Sequence, residues 1–359
     1  MTRALPALRT LGTIGRNHPR LALVLLGVGL MLLATASVLI GAVNISPQQA
    51  AAILAERFGL DLGVAFSPAQ AYVLWEIRLP RVLLSALVGA ALACAGAALQ
   101  GLFRNPLADP GLIGVSSGAA LFAAVALAPN LLGLAALGLL GHLAVPLAAF
   151  AGALLFAWMV YRLASRGGRV NVTTMLLVGI ALNALAAAGV GLILFGANEA
   201  QLRAITFWRL GSLGGASWET LLGVLPWVGL ALWGLPLQAR ALNLLLLGEQ
   251  EARHLGVEVE AVRRSLIALA ALAVGAAVSV TGLIGFVGLV VPHLARLWLG
   301  ADHRRLMPAA LLLGAALLLG ADLLARTLAV PAELPIGVIT ALVGAPFFLA
   351  LVLRRRVHG

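Results

Sequence analysis

The sequence predicts an all-α polytopic membrane protein of about ten transmembrane helices, and three observations carry that reading. The 359 residues are 62% hydrophobic and only 10% charged, whereas a soluble domain is about half apolar and a quarter charged. Apolar stretches of about 18 residues or more recur along the chain, each long enough to cross roughly 30 Å of hydrocarbon. Period-2 alternation is absent, so the spanning elements read as helices rather than barrel strands.

Ten spans are expected, at roughly 21–43, 81–100, 110–127, 138–162, 173–196, 219–237, 262–281, 287–299, 307–328 and 336–353. Arg3, Arg9, Arg16 and Arg20 precede the first. Its apolar run exceeds the ~7–15 residues of a secretory leader, which points to an uncleaved first span. The third and eighth spans are short and interrupted by Gly or Pro, as in backbone that lines a cavity instead of facing lipid.

The arginines give the orientation. With the amino terminus in the cytoplasm, Arg57, Arg78, Arg81, Arg203, Arg209 and Arg326 fall outside and the other eighteen of the 24 basic residues fall inside, while the acidic residues divide almost evenly. That asymmetry predicts a multi-pass protein with both termini cytoplasmic. It also accounts for the net charge of +11 without nucleic acid.

Every basic residue is Arg. A chain without Lys has no Walker A motif, so any ATP must be used by another chain. Cys94 is the one cysteine and reads as a small packing residue, which excludes an internal disulfide or cysteine metal site. The histidines stand singly, so no metal site is expected; His142 reads as a hydrogen-bonded structural residue, with contact to a haem as the rival. Gly114-Val-Ser-Ser-Gly118 matches a nucleophile-elbow pattern, but it opens a membrane span where a strand is required, and no catalytic residue is assigned. Ionisable residues are almost absent from the middle of the spans, which disfavours a proton- or sodium-coupled carrier.

A weak internal repeat is present. Val88-Gly-Ala-Ala-Leu-Ala-Cys-Ala-Gly96 echoes Val274-Gly-Ala-Ala-Val-Ser-Val-Thr-Gly282, and Arg78 and Arg264 lie at matching offsets upstream. The two copies run oppositely through the membrane, as in inverted-repeat transporters. A single domain over 1–359 is expected, with halves at about 78–196 and 262–353.

Three stretches are more specific. The first runs from Arg78-Leu-Pro-Arg81 through Gln100 to Arg104-Asn-Pro-Leu-Ala-Asp-Pro110 and Gly114–Gly118. The second is Gly248-Glu-Gln-Glu-Ala-Arg-His-Leu-Gly256. The third is Gly285-Phe-Val-Gly-Leu-Val-Val-Pro-His293, continuing to Asp302-His-Arg304, Ala332-Glu-Leu-Pro-Ile-Gly337 and Gly344-Ala-Pro-Phe347. In this order they resemble the FecCD permeases of ABC importers, which carry ferric siderophores, haem or vitamin B12, and the likeness covers roughly residues 30–353.

The resemblance implies a BtuC-like permease fold in a homodimer, with two ATPase subunits below, one periplasmic binding protein above, and no permanently bound cofactor. It makes residues 248–256 the coupling helix that docks into the ATPase. Read directly, Glu249 and Glu251 open a short helix and Arg253 and His254 close it, matching the macrodipole. Gly248 precedes it, Gly256 suits a left-handed cap, and Ala252 and Leu255, three apart, make an apolar ridge; a solvated loop helix is the bland alternative.

By the same resemblance Arg78, Arg81 and Arg326 receive carboxylates of the binding protein, where interfacial snorkelling is the alternative. Asp322 either orients Arg326 or forms a helix-surface pair with it. By similarity to the cobalamin member, Asn105, Leu107, Val172 and Thr173 narrow the cytoplasmic gate. Thr206-Phe-Trp-Arg-Leu-Gly-Ser-Leu-Gly-Gly-Ala-Ser-Trp218 and Thr281-Gly-Leu-Ile-Gly-Phe286, with Leu283 where many siderophore permeases carry Pro, lean toward haem as the transported substrate. A ferric siderophore or cobalamin is the alternative, and an ion-driven secondary transporter is the rival from another class.

Overall fold

The computed structural model describes residues 17–129, 140–167 and 169–356; Arg3, Arg9, Arg16, His358 and the first two residues of the expected fourth span lie outside them. Among the described residues, seven helices are long and apolar enough to cross a membrane and three more are shorter and apolar. These ten coincide with the ten expected spans. They are α1 (Pro19–Leu39), α4 (Leu79–Leu102), α5 (Val115–Leu127), α6 (Ala144–Ala164), α7 (Val172–Gly196), α9 (Trp218–Leu237), α12 (Val259–Thr281), α13 (Val287–Leu299), α14 (His303–Thr327) and α15 (Ile336–Arg356). The two short ones first noted, α5 and α13, are the Gly- and Pro-interrupted segments.

Between them lie shorter pieces that hydropathy does not announce: α2 (Pro47–Glu56), α3 (Pro68–Tyr72), α8 (Glu199–Leu210), α10 (Ala239–Leu245) and α11 (Glu249–His254). Their ends are written in polar residues. Ser46, Ser67 and Asn198 each form a capping box with a Gln three positions on, which satisfies orphan amides at the first turn. A two-residue antiparallel hairpin, β1 (Ser165–Arg166) and β2 (Arg169–Val170), joins α6 to α7; the all-helical expectation did not include it.

The second span is longer than its apolar run. Helix α3 passes through a π-helical stretch, Val73–Arg78, directly into α4, giving a helix of 35 residues from Pro68 to Leu102. Pro80 falls just ahead of the expected span at 81–100. A proline inside a helix lacks an amide donor, and in the π register of this stretch the amide of Leu79 reaches back to Leu74 O. In that same register the donor missing at Pro80 would meet Trp75 O. The indole N–H of Trp218 supplies the bond instead, at 2.9 Å, so the helix continues through the proline.

Helix α4 is the centre of the molecule. Its most apolar window is 83% buried, against 11% for α1, and it packs on α14, α12, α13 and α9. Hydrophobicity cannot select this arrangement in lipid, where tails are as apolar as leucine, so close van der Waals packing over small residues decides it. A Cβ on Gly96 would lie 2.0 Å from Gly288 O in α13, and one on Gly89 would lie 2.2 Å from Gly314 O in α14. Outside this core, α5 pairs with α6 and α7, and α1 lies on α14.

Gly96→Leu is expected to destabilise the protein by about 1–3 kcal/mol or more, because backbone rather than a movable side chain blocks the space. Gly223→Leu, which meets nothing within 4 Å, is the matched control. Thermal unfolding of both in detergent checks this, and equal midpoints would refute the close-packing account.

Candidate functional site

Two polar clusters stand at opposite ends of α4 and α12. Arg81 and Gln100 are nineteen positions apart on α4, which at ~1.5 Å per residue separates them by roughly 29 Å, about the thickness of a bilayer core. At one end the carboxyl terminus of α1 presents carbonyls without helical partners. Arg78 donates to Val38 O and Leu39 O, both at 2.8 Å, and to Val43 O. Arg326 donates to Ile40 O at 3.1 Å and to both oxygens of Ser37. Two arginines distant in sequence thus cap a helix that has no basic residue in its own last turn.

Arg81 lies between them with its fork filled. Its Nε donates to Asp322 Oδ1 at 3.0 Å, and Nη1 and Nη2 meet the two oxygens of Glu333 at 2.9 Å each. Asp322, with a side chain only 1% exposed, also reaches Arg326 Nε at 3.6 Å. Glu333 is about half exposed. The sequence had set Asp322 beside Arg326 alone; its shorter contact is to Arg81, 241 positions away. Hydrogen bonds from Arg81 hold the Glu333 carboxyl below the usual carboxylate range, although burial works against them. A lowered value means that the link is complete at neutral pH and is lost only as pH falls through that lowered value.

At the other end Gln100 donates to Gly288 O and Leu289 O at 3.2 and 3.3 Å and accepts from Arg296. Beyond it the chain turns at Arg104, φ 48°, and Asn105 Oδ1 accepts from the Leu107 amide at 2.9 Å. Asn105 and Leu107 are exposed, as is Thr173, while Val172 is half-buried. Helix α7 packs on the turn at Pro110–Ile113, where Asn183 donates to Gly111 O at 3.1 Å. Among the described residues no hydrogen bond or ion pair joins Asn105 or Leu107 to Val172 or Thr173.

The 248–256 segment folds as its charges require. Gly248 and Gly256 have φ of 122° and 84°, and α11 carries Glu249 and Glu251 at its start and Arg253 and His254 at its end. The expected ridge does not form. Ala252 is fully buried while Leu255 is 57% exposed. Leu255 is the C-cap and its amide still bonds Glu251 O at 3.0 Å, but the body covers Ala252 and leaves Leu255 to solvent. Ala252 seats the segment on the body and Leu255 projects alone.

The segment is tied inward by charge. Arg263 of α12, 3% exposed, meets Glu249, Glu260 and Val170 O. A cavity of about 820 Å³ opens beside it, lined in part by Leu163, Asn171, Thr174, Gln250 and Arg253. Nearer the other end, Trp208, Ser212 and Thr281 border a cavity of about 350 Å³, and Arg209 and Leu283 border one of about 550 Å³. His142 meets Glu219 at 2.9 Å on the surface, in keeping with its structural reading. Among the described residues no group of three or more His, Cys, Asp or Glu is placed to hold a metal.

The profile of the FecCD transport family matches residues 29–354. The chain belongs to the FecCD transport family. It is 47% identical to the hemin transport system permease protein HmuU of Yersinia pestis, over 95% of this chain and 98% of that one. It is 45% identical to the cobalamin import system permease protein BtuC of Halobacterium salinarum, over 80% and 75% of the two chains. A solved metal-chelate type ABC transporter in an inward-facing conformation superposes with a TM-score of 0.78 at 34% identity, covering 94% of this chain and 99% of that one. This FecCD chain is therefore an integral membrane permease of an ABC importer, and not an enzyme.

In this FecCD permease, Asp322→Ala leaves two arginines without their buried carboxylate, and the expected loss is about 3–5 kcal/mol. Glu333→Ala removes a half-exposed partner and is expected to cost about 1 kcal/mol or less. Thermal unfolding in detergent ranks the two, and the reverse order would show that Asp322 is not the centre of the cluster.

Proposed function

We propose that this permease moves haem from a periplasmic binding protein into the cytoplasm, working as a homodimer with two ATPase subunits. The observation that carries the substrate is the near end-to-end match to the hemin permease at 47% identity, with 95% of this chain aligned. The residues that lean the sequence toward haem also border space: Trp208, Ser212 and Thr281 at one cavity, Arg209 and Leu283 at another. Cobalamin permeases at 41–45% identity support the alternative cargo. The chain forms one domain of two inverted halves, about 78–196 and 262–353, and sits in the inner membrane with both termini in the cytoplasm.

The binding protein docks over the Arg78–Arg81–Arg326 end. Arg78 and Arg326 turn their terminal nitrogens to oxygens at and just beyond the end of α1, so they offer a partner carboxylate positive field more than a free fork. Arg81 offers its fork once Glu333 swings aside. The ATPase receives the 248–256 segment, with Gly248 and Gly256 setting its bends, Glu249, Glu251 and Arg253 its charges, and Leu255 its apolar contact. Asn105, Leu107, Val172 and Thr173 narrow the inner mouth, and nucleotide-driven closure of the ATPases opens it.

Liposomes holding the permease with its ATPase and binding protein test this. Haem uptake that requires ATP, resists excess ferric siderophore and cobalamin, and falls by about tenfold or more with Leu255→Asp is the expected result, since a hot-spot contact is worth ~2 kcal/mol. ATP-dependent uptake of a siderophore or cobalamin in place of haem would refute the substrate.

A further inference from the structure

We propose that Arg263 is a positioning residue of transport, the tie through which movement of the 248–256 segment reaches the inner mouth at α7. This rests on the reading that the segment docks the ATPase. The geometry is a three-way junction. From the second turn of α12, Arg263 Nη2 meets Glu249 Oε1 at 2.5 Å, and Nη1 meets Glu260 Oε1 at 2.8 Å and Val170 O at 3.0 Å. Glu260 Oε2 accepts from the Val170 amide at 3.3 Å. Both backbone groups of Val170 are therefore held by this one pair.

Val170 directly precedes the cap of α7. Asn171 accepts from the Thr174 amide at 3.0 Å, and its own amide closes the hairpin on Ala164 O at 3.2 Å. Val172 and Thr173 are the first two residues of the helix so capped. At the far side Glu249 is the first residue of α11. A displacement of α11 is thus passed to the start of α7 through Arg263, two carboxylates and one peptide unit, with Arg253 of the segment making a longer second contact to Glu260 at 3.8 Å.

The surroundings favour transmission over simple packing. Among the described residues, the hydrogen-bonded route from the segment to the hairpin runs through Arg263, which meets Glu249 on one side and Val170 O on the other. Elsewhere the two are separated by the cavity of about 820 Å³, so without the tie the hairpin has space to lag behind. Arginine suits the task because its planar fork serves several acceptors in fixed directions, whereas an ammonium keeps the charge but loses the geometry.

The test uses the assembled transporter in liposomes, reading cargo moved per ATP hydrolysed. Arg263→Lys, which keeps the buried charge, is expected to retain ATPase activity while cargo per ATP falls about tenfold; Glu260→Gln is expected to do the same. A parallel fall in both rates, or an unchanged ratio, would overturn the tie. Native uptake that ignores ATP would instead overturn the underlying importer reading, and the tie with it. A second measurement holds if a variant assembles poorly. Spin labels at Gln250→Cys and Thr174→Cys, with Cys94 replaced by Ser, report the distance from segment to α7 with and without nucleotide. In the native background that distance stays fixed because both ends move together, and with Arg263→Lys it changes with nucleotide; the same behaviour in both backgrounds would refute the proposal.

Discussion

A charge placed in a bilayer must be matched where it stands, and the pairing of Arg81 with Asp322 is the constraint on which this arrangement turns. Asp322 lies within an apolar helix, almost entirely sealed from solvent, and a carboxylate there is tolerated only with a partner. Arg81 supplies it from α4, which fixes α4 against α14 in rotation and height. The same pair fixes the close approach of Gly89 to Gly314, because a helix turned or slid by one residue would separate both contacts. Arg326, one turn from Asp322, then reaches the end of α1 and brings that lipid-facing helix to the body. A single ion pair thus orders three spans that hydrophobicity alone leaves free to rearrange.

The sequence carried the membrane architecture because span length and composition are local properties. All ten apolar segments stand where hydropathy sets them, and the shortness of α5 and α13 was visible as Gly and Pro inside apolar runs. What escaped was non-local. Trp218 completes the hydrogen bonding of α4 across 143 positions, so the proline looked like a helix boundary when it is an interior residue with a substitute donor. Asp322 was assigned to its neighbour on the helix surface. An ionisable residue inside an expected span asks for a buried partner, and that signal pointed to a second cation without saying which. Glu333 was quoted in a motif but given no role, since nothing local links it to an arginine 252 positions away. Helical spacing sets Ala252 on a ridge with Leu255, but spacing does not say which side the body covers, and the body takes Ala252.

The two ends of the molecule use buried arginine differently. At the Arg81 end, three guanidiniums consolidate helices and carry one half-exposed carboxylate, Glu333, at their edge. At the Arg263 end, one guanidinium joins a short surface helix to a hairpin beside an open cavity. The first is a block in which the buried Asp322 is shared by two guanidiniums, so removing that carboxylate leaves buried charge unmatched. The second has a rigid centre with loosely held arms.

That contrast bears on how motion travels. A core of small residues in backbone contact is nearly incompressible, so α4, α12, α13 and α14 move as a body. Deformation concentrates where packing is open, beside the cavity lined by Asn171 and Gln250 and at the glycines of positive φ that bound α11. A push on Leu255 is then not absorbed by the helix that bears it, since Ala252 and Glu249 anchor that helix on α12. Under the proposed tie it is delivered to the hairpin, the element joined to the segment through Arg263 and Glu260. With that tie in place, this inequality of stiffness directs the push toward the start of α7.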